Sequence, residues 1–268
     1  MLFRSSVRYG LQGYSKTPVN NTVGGLDALG IAYMSIRRGA ADVLITGGCE
    51  SLVEPFLLLI LGHSDQCATG DDPHAYRPFD LRASGMILAE GAGICIVEEY
   101  EHAIRRNAPI YGEIAGYGQT NDALRFGVPA HNGKQYARAI GLALQEAQSK
   151  PEDIGYFSLD GRAIPLSDQA EADALKRTFG SNLQHLPVSV PRTMYGHSFA
   201  AAGALDTITA LLALQYGMIP PTINCEQLVP HYGLDLVQNE ARPLSCSTAL
   251  IGGRGLSGAN VVLAIKKV

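Results

Sequence analysis

Apolar positions along the chain recur in alternating helical and extended patterns. In residues 25–38 the apolar side chains occupy more than one side of a helix, which predicts a buried helix. Gly39 ends it, and the apolar run at 42–47 then predicts a buried strand. A loop-rich region is predicted at 62–85, where turn-forming residues cluster.

The same alternation continues to the C-terminal end. The predicted strands lie at 14–19, 94–97, 110–118, 156–159, 187–190, 248–252 and 260–266, and the further helices at 98–106, 134–148, 168–179 and 200–216. Strands that alternate with helices predict a layered α/β fold. The longest apolar run, 56–61, is far too short to span a bilayer, and no secretory signal is recognisable, so neither a membrane nor secretion is expected.

Composition narrows the class of protein. The 268 residues are 46% hydrophobic and 17% charged, which fits one large or two small well-packed domains. The formal net charge of −4 gives no reason to expect nucleic acid as a partner. Five cysteines without a CxxC spacing predict reduced thiols in a cytoplasmic protein. The histidines outside the motifs below, His131 among them, lack metal-ligand spacing and are predicted at the surface or in loops, so no metal or other cofactor is expected.

A series of short blocks then follows the order seen in one enzyme family. The blocks resemble those of β-ketoacyl-acyl carrier protein synthases, and they read IRRG at 36–39, ADV at 41–43, GG at 47–48, RPFD at 77–80, AEGAG at 89–93, RTMYGH at 192–197 and IPPTIN at 219–224. The resemblance implies the thiolase fold, with layers α-β-α-β-α in two pseudo-equivalent halves. Residues 1–107 would be the remainder of the first half, and residues 108–268 the second.

The catalytic positions depart from that family. A ketosynthase needs a thiolate nucleophile and two histidines that support decarboxylation and stabilise the enolate. The nucleophile position, counted back from residues 36–39, holds Thr22, and the first histidine position holds Asp160. An ionised aspartate cannot donate a hydrogen bond to an oxyanion, and we expect it to form a structural ion pair with Arg162. The second histidine is retained as His197, while Arg192 replaces the preceding lysine.

Other family blocks carry residues with expected structural roles. Arg254 stands where the family has a phenylalanine that gates the acyl pocket, and it would be a poor gate for an apolar chain. Asn260 is retained in the same glycine-rich turn. Glu90 and Glu171 are predicted to hold loops by hydrogen bonding.

These departures resemble one subfamily, the chain length factors (ketosynthase beta subunits) of type II polyketide synthases. The matching segments are TVGGLDAL at 22–29, DGRAIP at 160–165 and VSVPRT at 188–193. The resemblance implies a non-catalytic subunit that pairs with an active ketosynthase alpha subunit, meets acyl carrier protein with its malonyl and acyl thioesters, and helps set chain length. Because its own Cys-His-His site is degenerate, activity would exist only within that heterodimer.

Two further predictions follow from the resemblance. The strand at 14–19 should pair with its counterpart in the ketosynthase, because this family continues its sheet across the dimer axis. Phe56, Leu57 and Leu59, in the predicted loop after Cys49, are candidates to face the acyl tunnel, although core packing explains them equally well.

Alternative functions stay open at this point. A malonyl-carrier-protein decarboxylase would need a polar group at Thr22 and a histidine pair, of which only His197 is present. An active ketosynthase would need a relocated nucleophile, Cys49 or Cys67. Thr22 itself could act as a weak nucleophile beside a base, but a small residue that caps the helix at Gly24 is the simpler interpretation.

The first half of the predicted fold is incomplete. In the family it begins well before the strand that leads to the nucleophile, and here that strand is predicted at 14–19, so the first βαβ portion is absent. A half-sheet without these strands should expose apolar faces and open edges. We interpret the chain as a fragment, the alternative being that another chain supplies the missing part.

Overall fold

The computed structural model describes residues 2–124, 127–128, 130 and 132–268. His131, predicted at the surface or in a loop, lies outside them. The helices are α1 (Leu2–Tyr9), α2 (Gly24–Arg37), α3 (Pro55–Gly62), α4 (Tyr100–Arg105), α5 (Lys134–Glu146), α6 (Pro165–Phe179) and α7 (Ala202–Tyr216). The strands are β1 (Val43–Glu50), β2 (Gly91–Glu98), β3 (Glu113–Asn121), β4 (Tyr156–Ser158), β5 (Pro187–Ser189), β6 (Met218–Ile219), β7 (Asp235–Leu236), β8 (Arg242–Pro243), β9 (Thr248–Arg254) and β10 (Ala259–Lys266).

A six-stranded sheet forms the centre of the larger half. Its order is β3-β10-β9-β4-β5-β7, with β9, β4, β5 and β7 parallel and β10 antiparallel to both of its neighbours. Apolar side chains alternate between two cores across this sheet, since Leu250 packs with the α5 and α6 side while Ile251 packs with the α2 and α7 side. Both faces of β9 and β10 are therefore buried, as continuous apolar strands require.

Helices α2 and α7 lie between the two main sheets. They pack against each other, and on their far side they cover the antiparallel pair β1–β2. The order of layers is thus α5 and α6, the six-stranded sheet, α2 and α7, and the β1–β2 sheet. By length and composition Phe199–Tyr216 could also cross a membrane, but 56% of this stretch is buried, and α7 is the central helix that the sequence predicts.

An internal repeat relates the two halves. Helix α2 is followed by the antiparallel pair β1–β2, and α7 by the antiparallel pair β9–β10. In the second unit β9 also pairs with β4, and β10 with β3, whereas β1 and β2 have no further strand beside them among the described residues. The predicted boundary between residues 107 and 108 stays a prediction.

The exposed apolar face that the sequence predicts is present on the β1–β2 sheet. Ile45 pairs with Ile96, and these side chains are 48% and 64% exposed. Ile94 lies on the same face and is 58% exposed. The prediction of a buried strand at 42–47 was wrong, because only one face of this sheet is covered by helices.

The strand predicted at residues 14–19 does not form. The segment from 11 to 20 is irregular and mostly exposed, and its tyrosine Tyr14 bonds by its hydroxyl to Ser35 of α2. A strand needs a neighbouring backbone for its hydrogen bonds, and the described residues offer none here. The strand that was to pair with a ketosynthase is therefore absent from this structure.

The loop predicted after Cys49 contains a helix. Pro55 occupies the first turn of α3, where its missing N–H costs nothing, and the Glu54 carboxylate accepts a hydrogen bond from the Leu57 backbone N–H at 3.4 Å. Phe56 and Leu59 are 65% and 61% exposed, so core packing does not explain them. Their role as tunnel-facing residues stays a prediction.

Candidate active site

The candidate site lies where three parallel strands end. Asp160 follows β4, Arg192 and His197 follow β5, and Arg254 is the last residue of β9. Because β9, β4 and β5 are adjacent and parallel, their carboxyl ends meet at one edge of the sheet, the usual place for a site in such folds. The turn before α2 brings Thr22 to the same place, and all five residues are at least nine-tenths buried.

The Thr22 hydroxyl is fully engaged. It donates a hydrogen bond of 2.7 Å to the Arg254 carbonyl and accepts one of 3.1 Å from Arg162 Nη2. Among the described residues the Thr22 hydroxyl contacts no base, and a neighbouring cation does not remove a proton. Its predicted capping role was wrong, since α2 begins without a side-chain cap and the hydroxyl bonds to distant residues instead.

The predicted ion pair between Asp160 and Arg162 is present and belongs to a larger network. Arg162 Nε donates to Asp160 Oδ2 at 2.8 Å, and Arg192 Nη1 donates to Asp160 Oδ1 at 2.7 Å. Burial alone would raise the pKa of Asp160, but Arg162 and Arg192 together hold it well below its usual range. Asp160 is thus an ionised acceptor with both oxygens engaged, which cannot do the work of a histidine.

Arg192 connects two buried carboxylates. Besides Asp160, it binds Asp206 of α7, with Nε and Nη2 at 2.7 and 2.6 Å from Asp206 Oδ2. Tyr195 donates its hydroxyl to the other Asp206 oxygen at 3.0 Å. Burial opposes a charged Arg192, but Asp206 and Asp160 outweigh it and keep the pKa of Arg192 raised.

His197 is enclosed in this network, and each of its ring nitrogens lies near an N–H group, of which a neutral imidazole can accept from only one. Its Nε2 lies 2.9 Å from Arg192 Nη1, and its Nδ1 lies 3.2 Å from the Phe199 backbone N–H. Burial, and then the positive charge of Arg192, lower the pKa of His197 well below its ordinary value. The imidazole is therefore neutral at physiological pH, with no exposed surface from which to reach a substrate.

Two further carboxyl groups shape the loop that carries Asp160. Glu171 accepts hydrogen bonds from the Asp160 and Gly161 backbone N–H groups at 2.9 and 3.0 Å. Asp168 accepts from the backbone N–H groups of Arg162 at 3.2 Å and Phe79 at 2.8 Å. The loop-holding role predicted for Glu171 agrees with this geometry.

A pH dependence of stability follows from Asp168. Burial raises its pKa to about 8, so the folded state holds the proton more tightly than the unfolded state. Stability is then fully present below the unfolded pKa of about 4 and is lost as pH rises towards 8. Between pH 6.5 and 8 we expect the free energy of unfolding to fall by up to about 1.4 kcal/mol per pH unit.

The Asp168 contribution can be isolated by substitution. Urea unfolding between pH 6.5 and 8 should show a flatter pH slope in Asp168→Asn than in the unmodified chain. Asp173→Asn, on the same helix but partly exposed, should keep the slope. An equal slope in all three proteins would show that Asp168 is ionised in the folded state.

The remaining predicted residues lie around this network. Asn260 donates to Asp122 Oδ1 at 2.8 Å and to the Gly258 carbonyl at 3.3 Å, which holds the turn between β9 and β10. Glu90 is exposed and accepts a hydrogen bond of 2.5 Å from Ser51.

Asp206 and Tyr195 are site residues that the sequence reasoning missed. The available signal was a lone carboxylate within the apolar helix α7, since a charge in a buried helix needs a buried partner. Tyr76 was missed as well, and it donates its hydroxyl to the Gly161 carbonyl at 2.7 Å.

The cysteines offer no better nucleophile. Burial raises the pKa of Cys67, whereas a reactive cysteine has a lowered pKa. Cys49 is exposed on β1, a strand outside the buried network.

The layered sheets, with Thr22 before one central helix and His197 before the other, define a thiolase-like ketosynthase fold. Residues 4–103 match the family described as "Beta-ketoacyl synthase, N-terminal domain", and residues 111–226 match "Beta-ketoacyl synthase, C-terminal domain". The chain belongs to the β-ketoacyl synthase family.

Individual relatives include both polyketide and fatty-acid proteins. The chain is 39% identical to the tetracenomycin polyketide synthase ketoacyl synthase beta subunit of Streptomyces glaucescens, over 98% of this chain and 63% of that protein. It is 36% identical to 3-oxoacyl-[acyl-carrier-protein] synthase 2 of Staphylococcus aureus, over 98% of this chain and 64% of that protein. The chain thus spans just under two thirds of the length of these relatives.

One solved structure contains a chain with a closely similar fold. A type II polyketide synthase acyl-carrier protein in complex with its ketosynthase bound to the hexaketide contains a chain that superposes with a TM-score of 0.96 at 32% identity. The match covers all of this chain and 66% of that one.

Proposed function

We propose that this chain is the ketosynthase-like part of a non-catalytic chain length factor, which pairs with an active ketosynthase alpha subunit in polyketide synthesis. The observation that carries the proposal is the set of contacts made by the side chains at the three positions that are catalytic in the family. Thr22 is held by Arg162 and the Arg254 carbonyl, Asp160 is ion-paired, and His197 is neutral and enclosed.

A catalytic role would need a different electrostatic arrangement. Condensation and decarboxylation both need donors aimed at a developing negative charge on the substrate. Here the candidate donors on Arg192 are directed at Asp160 and Asp206, and no exposed polar face of His197 remains. The resemblance to a beta subunit supports the same assignment. The partners in this proposal are the alpha subunit and an acyl carrier protein that delivers malonyl and acyl thioesters.

The test is co-expression with a ketosynthase alpha subunit and its carrier protein, followed by product analysis. We expect polyketide only when both subunits are present. Thr22→Val in this chain should leave the product yield within about twofold, because the hydroxyl does no chemistry, whereas Cys→Ala at the nucleophile of the alpha subunit should abolish product.

Other outcomes would contradict the proposal. Loss of product in Thr22→Val, with the complex intact by size-exclusion chromatography, would make Thr22 catalytic. Release of carbon dioxide from malonyl carrier protein by this chain alone would favour the decarboxylase alternative, with Thr22 and His197 as the residues to mutate.

A further inference from the structure

A small polar cavity lies next to the buried network, on the side of Arg254. Its volume is about 20 Å³, and the side chains that line it include Gln66, Asp122, Arg162, Ser167, Arg254 and Asn260. Gln66 and Asp122 are partly exposed, so the cavity approaches the surface at that end, while Arg162 and Arg254 are each only 5% exposed.

Both guanidinium groups have N–H donors that form no hydrogen bond with the described residues. Arg254 Nη1 donates to the Ser167 carbonyl at 2.7 Å and to Ser167 Oγ at 3.1 Å, but its Nε and Nη2 have no hydrogen bond to the described residues. Arg162 uses Nε for Asp160 and Nη2 for Thr22, which leaves its Nη1 uncommitted among those residues. Among the described residues these N–H groups have no protein acceptor, so they remain available to a guest in the cavity.

Arg254 interacts electrostatically with the buried carboxyl groups of Asp160, Asp168 and Glu171, which balance part of its charge from a distance. Arg254 forms no ion pair with a described carboxylate, and its guanidinium carbon instead lies 5.7 Å from the centre of the Tyr136 ring. Asp160 is shared between Arg162 and Arg192. Asp122, the carboxylate in the lining, already accepts from Asn260 Nδ2 at 2.8 Å and from the Ala130 backbone N–H at 3.0 Å.

We propose that this cavity binds a compact monovalent anion, either chloride or the carboxylate of a very small acid, between Arg162 and Arg254. Guanidinium donors match such anions in charge and geometry. The volume admits roughly one group of water size, which favours a chloride ion or a carboxylate head over a larger tetrahedral oxyanion. This site is independent of the proposed partner role.

Chloride-35 NMR line broadening tests the proposal on the complete chain, in a buffer whose other anion is gluconate. We expect excess broadening that saturates with chloride and that formate removes by competition, whereas phosphate at equal ionic strength does not. Arg254→Gln should weaken chloride binding by about tenfold or more, because it removes a charged donor. Arg254→Lys, which keeps the charge without the planar fork, should show an intermediate loss.

The control variant is Arg138→Gln, which changes an exposed arginine on α5 that bonds to Gln135 and should leave the broadening unchanged. Circular dichroism establishes that each variant is folded. If Arg254→Gln fails to fold, two experiments on the unmodified chain replace it. The first is the competition of formate and phosphate with chloride. The second is a bromide-soaked crystal, in which we expect an anomalous peak between the two guanidinium groups. Absence of saturable broadening, equal competition by phosphate, or broadening retained in folded Arg254→Gln would each overturn the proposal.

Discussion

Arg192→Met is expected to lower the free energy of unfolding by about 4 kcal/mol, because it leaves Asp160 and Asp206 buried without their shared cation. Both carboxylates contact Arg192 within 2.7 Å, and all three side chains are essentially inaccessible to solvent. Urea unfolding followed by circular dichroism would measure the loss. The effect should exceed that of any single exposed ion pair in the chain.

Two variants serve as controls for that prediction. Arg192→Lys keeps the charge, but one ammonium group cannot reproduce the forked contacts to both carboxylates, so we expect a smaller loss than in Arg192→Met. Arg242→Met removes a partly exposed arginine that pairs with the partly exposed Asp235, and it should cost less than about 1 kcal/mol. If Arg192→Met were as mild as Arg242→Met, the buried network would contribute little to stability.

Gly25→Ala is expected to destabilise the fold by about 3 kcal/mol, since the added methyl group would meet backbone atoms that cannot move aside. A Cβ at this position would lie 2.4 Å from the Ala200 carbonyl oxygen and 3.2 Å from the Gly48 Cα. This contact joins the start of α2 to the turn that follows His197 and to strand β1. Urea unfolding followed by circular dichroism would measure the loss of stability in Gly25→Ala.

The adjacent glycine provides a matched control. A Cβ at Gly24 would lie 3.5 Å from the Ala200 Cβ, an ordinary packing distance, and the backbone there is already helical. Gly24→Ala should therefore be neutral or stabilising by up to about 1 kcal/mol, because alanine favours helix. Equal losses in the two variants would point to a shared helix-start effect rather than the close contact at Gly25.

The sequence by itself determined most of the order of elements. Helices α2 and α7 and strands β4, β5, β9 and β10 lie close to their predicted positions, because each has an apolar pattern whose period matches its structure. The pairing of Asp160 with Arg162 was also predictable, since the two residues are two positions apart in one short loop. Thr22 and Asp160 could be recognised as departures because the surrounding blocks fix the position of each.

Only the tertiary structure decided the features that depend on distant parts of the chain. Residues 14–19 carry strand-forming side chains, but a strand exists only where another backbone pairs with it. Helix α3 was missed because Phe56 to Leu61 is apolar on every side, so it has no period that separates helix from loop.

The candidate site shows most clearly which features the sequence determined and which only the tertiary structure decided. The family blocks predict that Thr22 stands at the nucleophile position, and the fold added that its hydroxyl bonds to Arg254, which is 232 positions away. Likewise Arg192 appeared as a substitution for lysine, whereas its pairing with Asp206 required α7 to pack beside the end of β5. Local periodicity encodes the elements, but buried charges are satisfied by residues that only chain folding brings within hydrogen-bond distance.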